Sequence, residues 1–500
     1  MTACASFGAP PTSDPSRYFT IEVIDESTGR GVPLVELKTT SSITYYTDSA
    51  GIVAFDEPGL MNQRVFFFVK SHGYEYPKDG FGFAGVALDV KPGGSAQVKV
   101  KRTNIAERLY RITGGGVYRD SMLVGRKVPI QQPLLNAQVL GQDSVFATVY
   151  KGKIRWFWGD TNRVAYPLGL FAVAGATSDL PSNGGLDPSI GVNFNYFTGE
   201  DGFARKMAPL FDQPHPLWID GLVTLKDDAG NDRMVAHYSL MKSLGERIGR
   251  GLVVYNDSTD AFEKLKEFDV NIPIGPAGQT QRVNVDGQDY VYFCAPYPCI
   301  RVRADWKSIA DPAAYEGFTP LAQGTSYDKG SPKLERDPQG KLVWAWKRGT
   351  PPITPPQQIE LVKAGLMKRE ESPQRLQDAD TKAPIQLHGG STHWNEFRKR
   401  YVMIAQQGNG TSHLGEIWYA ESVKPEGPWV HAKKIVTHEK MDFYNPTQHP
   451  FFDQDGGRII YFEGTYTNTF SGHPTPTPRY EYNQIMYRLD LSDARLKMPE

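Results

Sequence analysis

The chain has 500 residues, 40% of them hydrophobic and 22% charged, with 55 basic side chains against 56 acidic ones. This length exceeds one ordinary domain. The balanced charge excludes the basic footprint of a nucleic-acid binder, and no apolar run approaches the ~18 residues of a membrane helix.

Residues 1–16 begin Met-Thr-Ala-Cys and run into a Pro/Ser/Thr-rich stretch. Two readings fit: the end of a lipoprotein-type signal that tethers the protein to a membrane through Cys4, or a plain disordered start. Residues 17–102 read as a small β-sandwich. Tyr18–Ile24 alternates, Asp25–Gly31 and Thr47–Gly51 are turn-rich, and further strands are predicted at Val32–Leu37, Arg64–Lys70 and Ser95–Lys101. The order of these turns resembles transthyretin-like domains of the carboxypeptidase-regulatory type, which implies a spacer or docking module rather than an activity.

From residue 103 to 500 the chain repeats a unit: an alternating strand, a tight polar turn, then an apolar aromatic strand. Six copies align on Trp156, Val235, Tyr292, Val343, Val402 and Ile460. A β repeat of roughly 50 residues marks a propeller blade. The fold predicted is therefore all-β, a β-sandwich followed by a five- or six-bladed β-propeller. The count stays open because the fourth copy is followed by a Pro-rich stretch and a helical segment near Gln357–Glu371, with no outer strand pair. Aromatic residues at 12%, with 49 Gly and 37 Pro, suit this architecture and suit sites where rings stack on sugar faces.

In a propeller, residues just before a blade's first strand and just after its second line one mouth. In the first copy the turn is centred between Lys151 and Gly152, and Asp143 and Asp160 are equidistant from that centre. Mirror positions on paired antiparallel strands face each other with Cβ atoms about 4.5–5.5 Å apart. Two carboxylates so placed repel, which raises one pKa and suits acid–base chemistry; turn capping is the plain alternative for Asp160, between Gly159 and Thr161. The same counting brings Asp220, His237 and Tyr238 to the mouth from the second copy, and Lys347 and Arg348 from the fourth. His388 and His393 come from the fifth, and Asn445, His449, Glu463 and Tyr466 from the last. Trp158, Tyr238, Trp394 and Tyr466 are the rings expected to stack on substrate.

The segment Gly141-Gln-Asp143 with Trp156-Phe-Trp-Gly-Asp160-Thr resembles the opening blade of propeller glycoside hydrolases related to bacterial endo-D-arabinanases. More loosely, the whole propeller is similar to the arabinanase, fructosidase and levansucrase superfamily. The closer resemblance implies that Asp143 and Asp160 are the active-site carboxylates, with Trp158 in place of the usual Phe. The looser one adds Asp220 and Glu463 as catalytic candidates. The function expected is a secreted or cell-surface bacterial hydrolase of a polysaccharide or oligosaccharide. The alternatives are a polysaccharide lyase using His237, Tyr238, Lys347, Arg348, His388 and His393, and a non-catalytic glycan- or protein-binding propeller. No segment shows metal-ligand spacing, so no cofactor is predicted, although converging acidic and Asn side chains are compatible with a structural calcium. Cys294 and Cys299 flank a tight Ala-Pro-Tyr-Pro turn and read either as a disulfide, fitting an oxidising compartment, or as two free thiols.

Overall fold

The structure is a computed structural model that describes residues 14–170, 173–211 and 215–499. These residues are almost all β, in antiparallel or mixed sheets of three to five strands, with short helices between them. Cys4 lies outside the described residues. Among those described, no helix is long and apolar enough to cross a membrane. The chain divides into two compact units: residues up to 103 together with 116–134, and 104–115 together with everything from 135.

The first unit has two four-stranded sheets. One runs in the order 52–55, 19–25, 95–102, 74–75, and the other 44–46, 36–39, 64–70, 85–89. Alternation places Phe19, Ile21 and Val23 in one core with Leu37, Val53, Phe67 and Val98. The two turns predicted from sequence are built by aspartates that satisfy the backbone of the bend. Asp25 Oδ1 accepts from Ser27 N at 2.8 Å, and Asp48 Oδ1 accepts from Ala50 N at 3.0 Å and Ile52 N at 3.1 Å. Gly51 has φ +77°, and a Cβ there would lie 2.5 Å from Val23 O, so this bend requires glycine.

Besides a small three-stranded sheet of 139–142, 161–163 and 166–170, the second unit contains five larger sheets in which consecutive strands mostly pair as meanders. They are 145–150/153–158/174–179/195–196, then 217–226/232–243/246–256/261–268, then 279–285/288–294/298–303/316–319/345–348. The fourth is 387–395/400–407/417–422/429–436, with 374–378 added in parallel at its outer edge. The fifth is 442–448/459–467/483–490, and its fourth strand is Glu107–Arg111 from the start of the unit. The first strands of neighbouring sheets are joined by side-chain hydrogen bonds. Thr280 Oγ1 donates to Leu222 O at 2.6 Å, and Gln448 N donates to Ser391 Oγ at 2.8 Å. Asn445 Nδ2 donates to Ser144 Oγ, linking the fifth sheet to the first. Gln279 Nε2 reaches both Val145 O at 2.9 Å and Thr447 Oγ1 at 3.1 Å. The arrangement is propeller-like.

Five of the six sequence copies become second strands of these sheets. The fourth copy, around Val343, does not start a sheet. Its apolar run ends in strand 345–348, which pairs with 316–319 as the outermost strand of the third sheet. This is why no outer strand pair follows it. The helix expected after it spans Pro355–Lys363, started by a capping box in which Thr354 and Gln357 bond reciprocally. Cys294 and Cys299 are buried free thiols.

Candidate functional site

The first hairpin turns on Lys151 (φ 49°) and Gly152 (φ 76°), two residues in the left-handed region between the paired Tyr150 and Lys153. A two-residue turn of this kind matches strand twist and locks the register. The register runs unbroken to Val145 opposite Trp158. It continues as Gly159 N donates to Ser144 O at 3.1 Å and Asp143 N to Asp160 O at 2.9 Å. Beyond this point Gln142 still faces Thr161, now in a small sheet of 139–142, 161–163 and 166–170. Asp143 and Asp160 are therefore directly opposed at the junction where the hairpin leaves one sheet for the next. A Cβ on Gly159 would sit 3.2 Å from that of Asp143, so the glycine leaves Asp143 its room.

The two carboxyls have unlike surroundings. Asp143 accepts from Tyr482 Oη at 2.8 Å, from Ser144 Oγ at 2.8 Å and from the Ser144 backbone; the Tyr444 hydroxyl also reaches Asp143 and Tyr482. Asp160 accepts one bond, from Trp218 Nε1 at 3.3 Å. Burial, then the neighbouring charge of Asp143, pushes the Asp160 carboxyl up to about 6, against the smaller opposing effect of the indole. One group is thus dressed with donors and the other holds its proton toward neutral pH.

Around this pair the opening end carries Asn445, whose backbone N–H donates to Gln406 Oε1. Because that N–H can only donate, the amide nitrogen of Gln406 faces His388 Nδ1, at 2.8 Å. His388 is exposed at the start of the fourth sheet. Asp220 is half-buried on the second sheet, bonded to Gly278 N at 3.0 Å, and burial raises its carboxyl to about 6.

The remaining sequence candidates lie elsewhere. Trp158 is buried, stacked on Trp156 at 6.2 Å and edge-on to Phe194 at 5.1 Å. Tyr238 is buried on the opposite face of its strand from His237, in a core with Phe157 and Ile219. His237 Nε2 meets Tyr315 Oη at 2.8 Å, and burial, reinforced by Arg250, holds the ring down to about 3. His393 sits mid-ladder opposite Val402, held to about 3 by burial and by His449. His449 and Glu463 bond each other at 2.6 Å, both almost fully buried, with His449 against Trp156. Tyr466 is buried and bonded to Thr477. Trp394 is exposed, but it faces Tyr401 beside the far turn of its hairpin, six residues and ~20 Å along the strand from His388. Lys347 and Arg348 belong to the outermost strand of the third sheet, four strand spacings or ~19 Å from its first strand. Lys347 there bonds Leu321 O at 2.6 Å and pairs with Glu335.

Counting from the inner hairpin missed Tyr482, Tyr444 and Trp218. Tyr482 immediately precedes a third strand, which also begins at the opening end, so the same counting applied one strand further out would have found it. Trp218 is two residues before Asp220 and shares its face of the strand. Among the described residues no group of three or more His, Cys, Asp or Glu could hold a metal ion.

No family model matches the chain, and no curated protein matches it. Among solved structures it is similar to a putative exo-beta-1,3-galactanase from Bifidobacterium bifidum s17, at 9% identity over 79% of this chain and 97% of that one, with TM-score 0.37. It is also similar to an exo-beta-1,3-galactanase from Phanerochaete chrysosporium with galactose, at 10% identity over 75% and 66%, TM-score 0.37. A third is an exo-1,5-alpha-L-arabinanase from a bovine ruminal metagenomic library, at 12% identity over 70% and 93%, TM-score 0.34. Superpositions this loose carry no argument about chemistry, which rests on the side chains themselves.

Proposed function

We propose that the second unit is a closed five-bladed propeller and a glycoside hydrolase, with Asp160 as general acid and Asp143 as its partner carboxylate. The observation that carries this reading is the opposed pair itself: two carboxyls on one rung, one amply bonded, the other keeping its proton to about pH 6. Asp160 Oδ1 is occupied by the indole of Trp218, which leaves Oδ2 to hand its proton to the glycosidic oxygen as the bond breaks. Asp143, held in place by Tyr482 and Ser144, attacks the anomeric carbon or takes the proton of an attacking water, according to the final separation of the two groups. Asp220 is the third candidate, two residues after Trp218 on the same face of the same strand. Glu463 is left out of this reading because its partner is His449 and it has no exposed surface.

A lyase using His237, Tyr238, Lys347, Arg348, His388 and His393 is the less favoured reading, because His237 and Tyr238 are buried and Lys347 and Arg348 lie on the outermost strand of the third sheet. Under the hydrolase reading the first unit is a transthyretin-like spacer and the protein acts outside the cytoplasm on a polysaccharide.

Asp143→Asn and Asp160→Asn are each expected to lower turnover at least about 10²–10⁴-fold, the usual contribution of a positioned acid or base, with an unchanged circular-dichroism spectrum. Digestion of a glycan panel, read by new reducing ends and by ultraviolet absorbance, is the assay. Near-wild-type turnover in either variant, or a product absorbing near 235 nm, sinks the assignment.

A further inference from the structure

The third strand of the second sheet, Glu246–Asn256, begins at the same end of the fold as the carboxylate pair. Its Arg250 faces Ser239, which in turn faces Trp218, the residue whose indole touches Asp160. Two strand spacings, ~10 Å between Cα atoms, separate Arg250 from Trp218.

Arg250 is 8% exposed, yet its guanidinium makes a single long hydrogen bond, from Nη1 to Val270 O at 3.4 Å. Nε and Nη2 have no partner among the described residues, and neither is sealed from solvent. No carboxylate among the described residues forms an ion pair with Arg250 or with the exposed Arg247 three residues before it. Asp220 feels both charges without bonding either guanidinium, and its carboxyl accepts from Gly278 N at 3.0 Å. Arg301, on the third sheet, shows what a structural arginine looks like in this fold. It bonds Glu316 at 2.7 Å and Tyr292 Oη at 3.1 Å, and stacks over Tyr290 and Trp346.

A guanidinium carries five donors in a planar fork. Withdrawing it from water with one weak acceptor is costly, and the cost is recovered when a planar anion docks on the fork. Burial and the proximity of Arg247 also lower the Arg250 pKa to about 10, against the smaller opposing charge of Asp220.

We propose that Arg250 and Arg247 form an anion subsite beside Asp220, across the second sheet from Trp218 and so next to the end that carries Asp143 and Asp160, which takes the carboxylate or sulfate of an acidic glycan. The substrate class is then an acidic polysaccharide rather than a neutral one. This step rests on the hydrolase reading only in treating the anion as part of the substrate.

The test uses the full chain carrying Asp160→Asn, so that binding is measured without turnover. Calorimetry is run at low salt with uronate-bearing and sulfate-bearing oligosaccharides, each paired with a neutral counterpart of equal length. At least one acidic member is expected to bind about tenfold or more tightly than its neutral partner, with the advantage shrinking as salt rises. Which acidic arm wins identifies the anion. Arg250→Ala and Arg247→Ala, added singly, are expected to erase the advantage while leaving neutral binding unchanged; Arg247 is exposed, so its variant stays informative if Arg250→Ala does not fold. No acidic member binding better than its counterpart, or a preference that survives both substitutions, overturns the subsite and leaves the hydrolase reading standing. Acidic glycans that bind in this arginine-dependent way but are never cleaved by the unmodified protein uphold the subsite and overturn the hydrolase.

Discussion

Asp160 keeps its proton because burial and Asp143 both penalise its charge, and that has a consequence for stability as well as for rate. Its carboxyl rises from 3.8 in the unfolded chain to about 6 in the fold. Between pH 4 and 6 the folded state therefore holds a proton that the unfolded state has released. Stability then falls as pH rises through this window, and the full penalty stands above pH 6. At about 1.4 kcal/mol for each tenfold gain in proton affinity, reduced for residual solvent screening, the penalty is about 1–3 kcal/mol. Asp160→Asn is expected to gain that amount at pH 7 and little at pH 4 in urea unfolding. Asp220, Asp442 and Asp453 are also raised, to about 6, 6 and 7, so the readout is the difference between variant and unmodified protein. A difference independent of pH would contradict the raised pKa of Asp160. Turnover should follow the same titration, declining above about pH 6 as the general acid loses its proton.

At the scale of elements, a hairpin turn and its mirror positions are local facts, and they were legible. The Lys151–Gly152 bend fixes the register from Tyr150 out to Asp143 without help from the rest of the chain. The same logic failed at the fourth copy, where an apolar run after a tight turn forms the last strand of a sheet instead of opening a new one. Periodicity reports that a strand is half-buried and not which neighbour buries it. Lys347 carries the practical difference. On the outer strand it is 7% exposed and neutralised by Glu335, so Lys347→Met should lower stability by about 1–3 kcal/mol, less than the ~3–5 kcal/mol of breaking a fully buried pair because Glu335 is half-exposed. Turnover should stay within about twofold of the unmodified protein. A large loss of turnover with unchanged stability would return Lys347 to the site.

At the scale of the whole molecule, the fifth sheet is completed by a strand from the start of the unit, Glu107–Arg111 against Asn483–Asp490. The first and last parts of the unit are thereby fastened in one ladder. Leu109, fully buried in the core that also holds Trp156 and Met486, is a direct probe. Leu109→Ala should cost about 2–5 kcal/mol and lower the melting of the second unit as one transition; loss of only a local signal would show that this strand does not hold the unit together. The opposed carboxylates at Asp143 and Asp160 were determined by the sequence alone, since turn chemistry and a period of two are properties of adjacent residues. Tertiary structure decided the rest. It withdrew Trp158, Tyr238, Tyr466 and Glu463 into cores, because only the neighbouring sheet determines which face of an inner strand is covered. It also brought Trp218, Tyr444, Tyr482 and Arg250 from distant parts of the chain to the open end. Strand counting can put such residues at the end of their own sheet, but which of them meets the pair depends on how whole sheets pack.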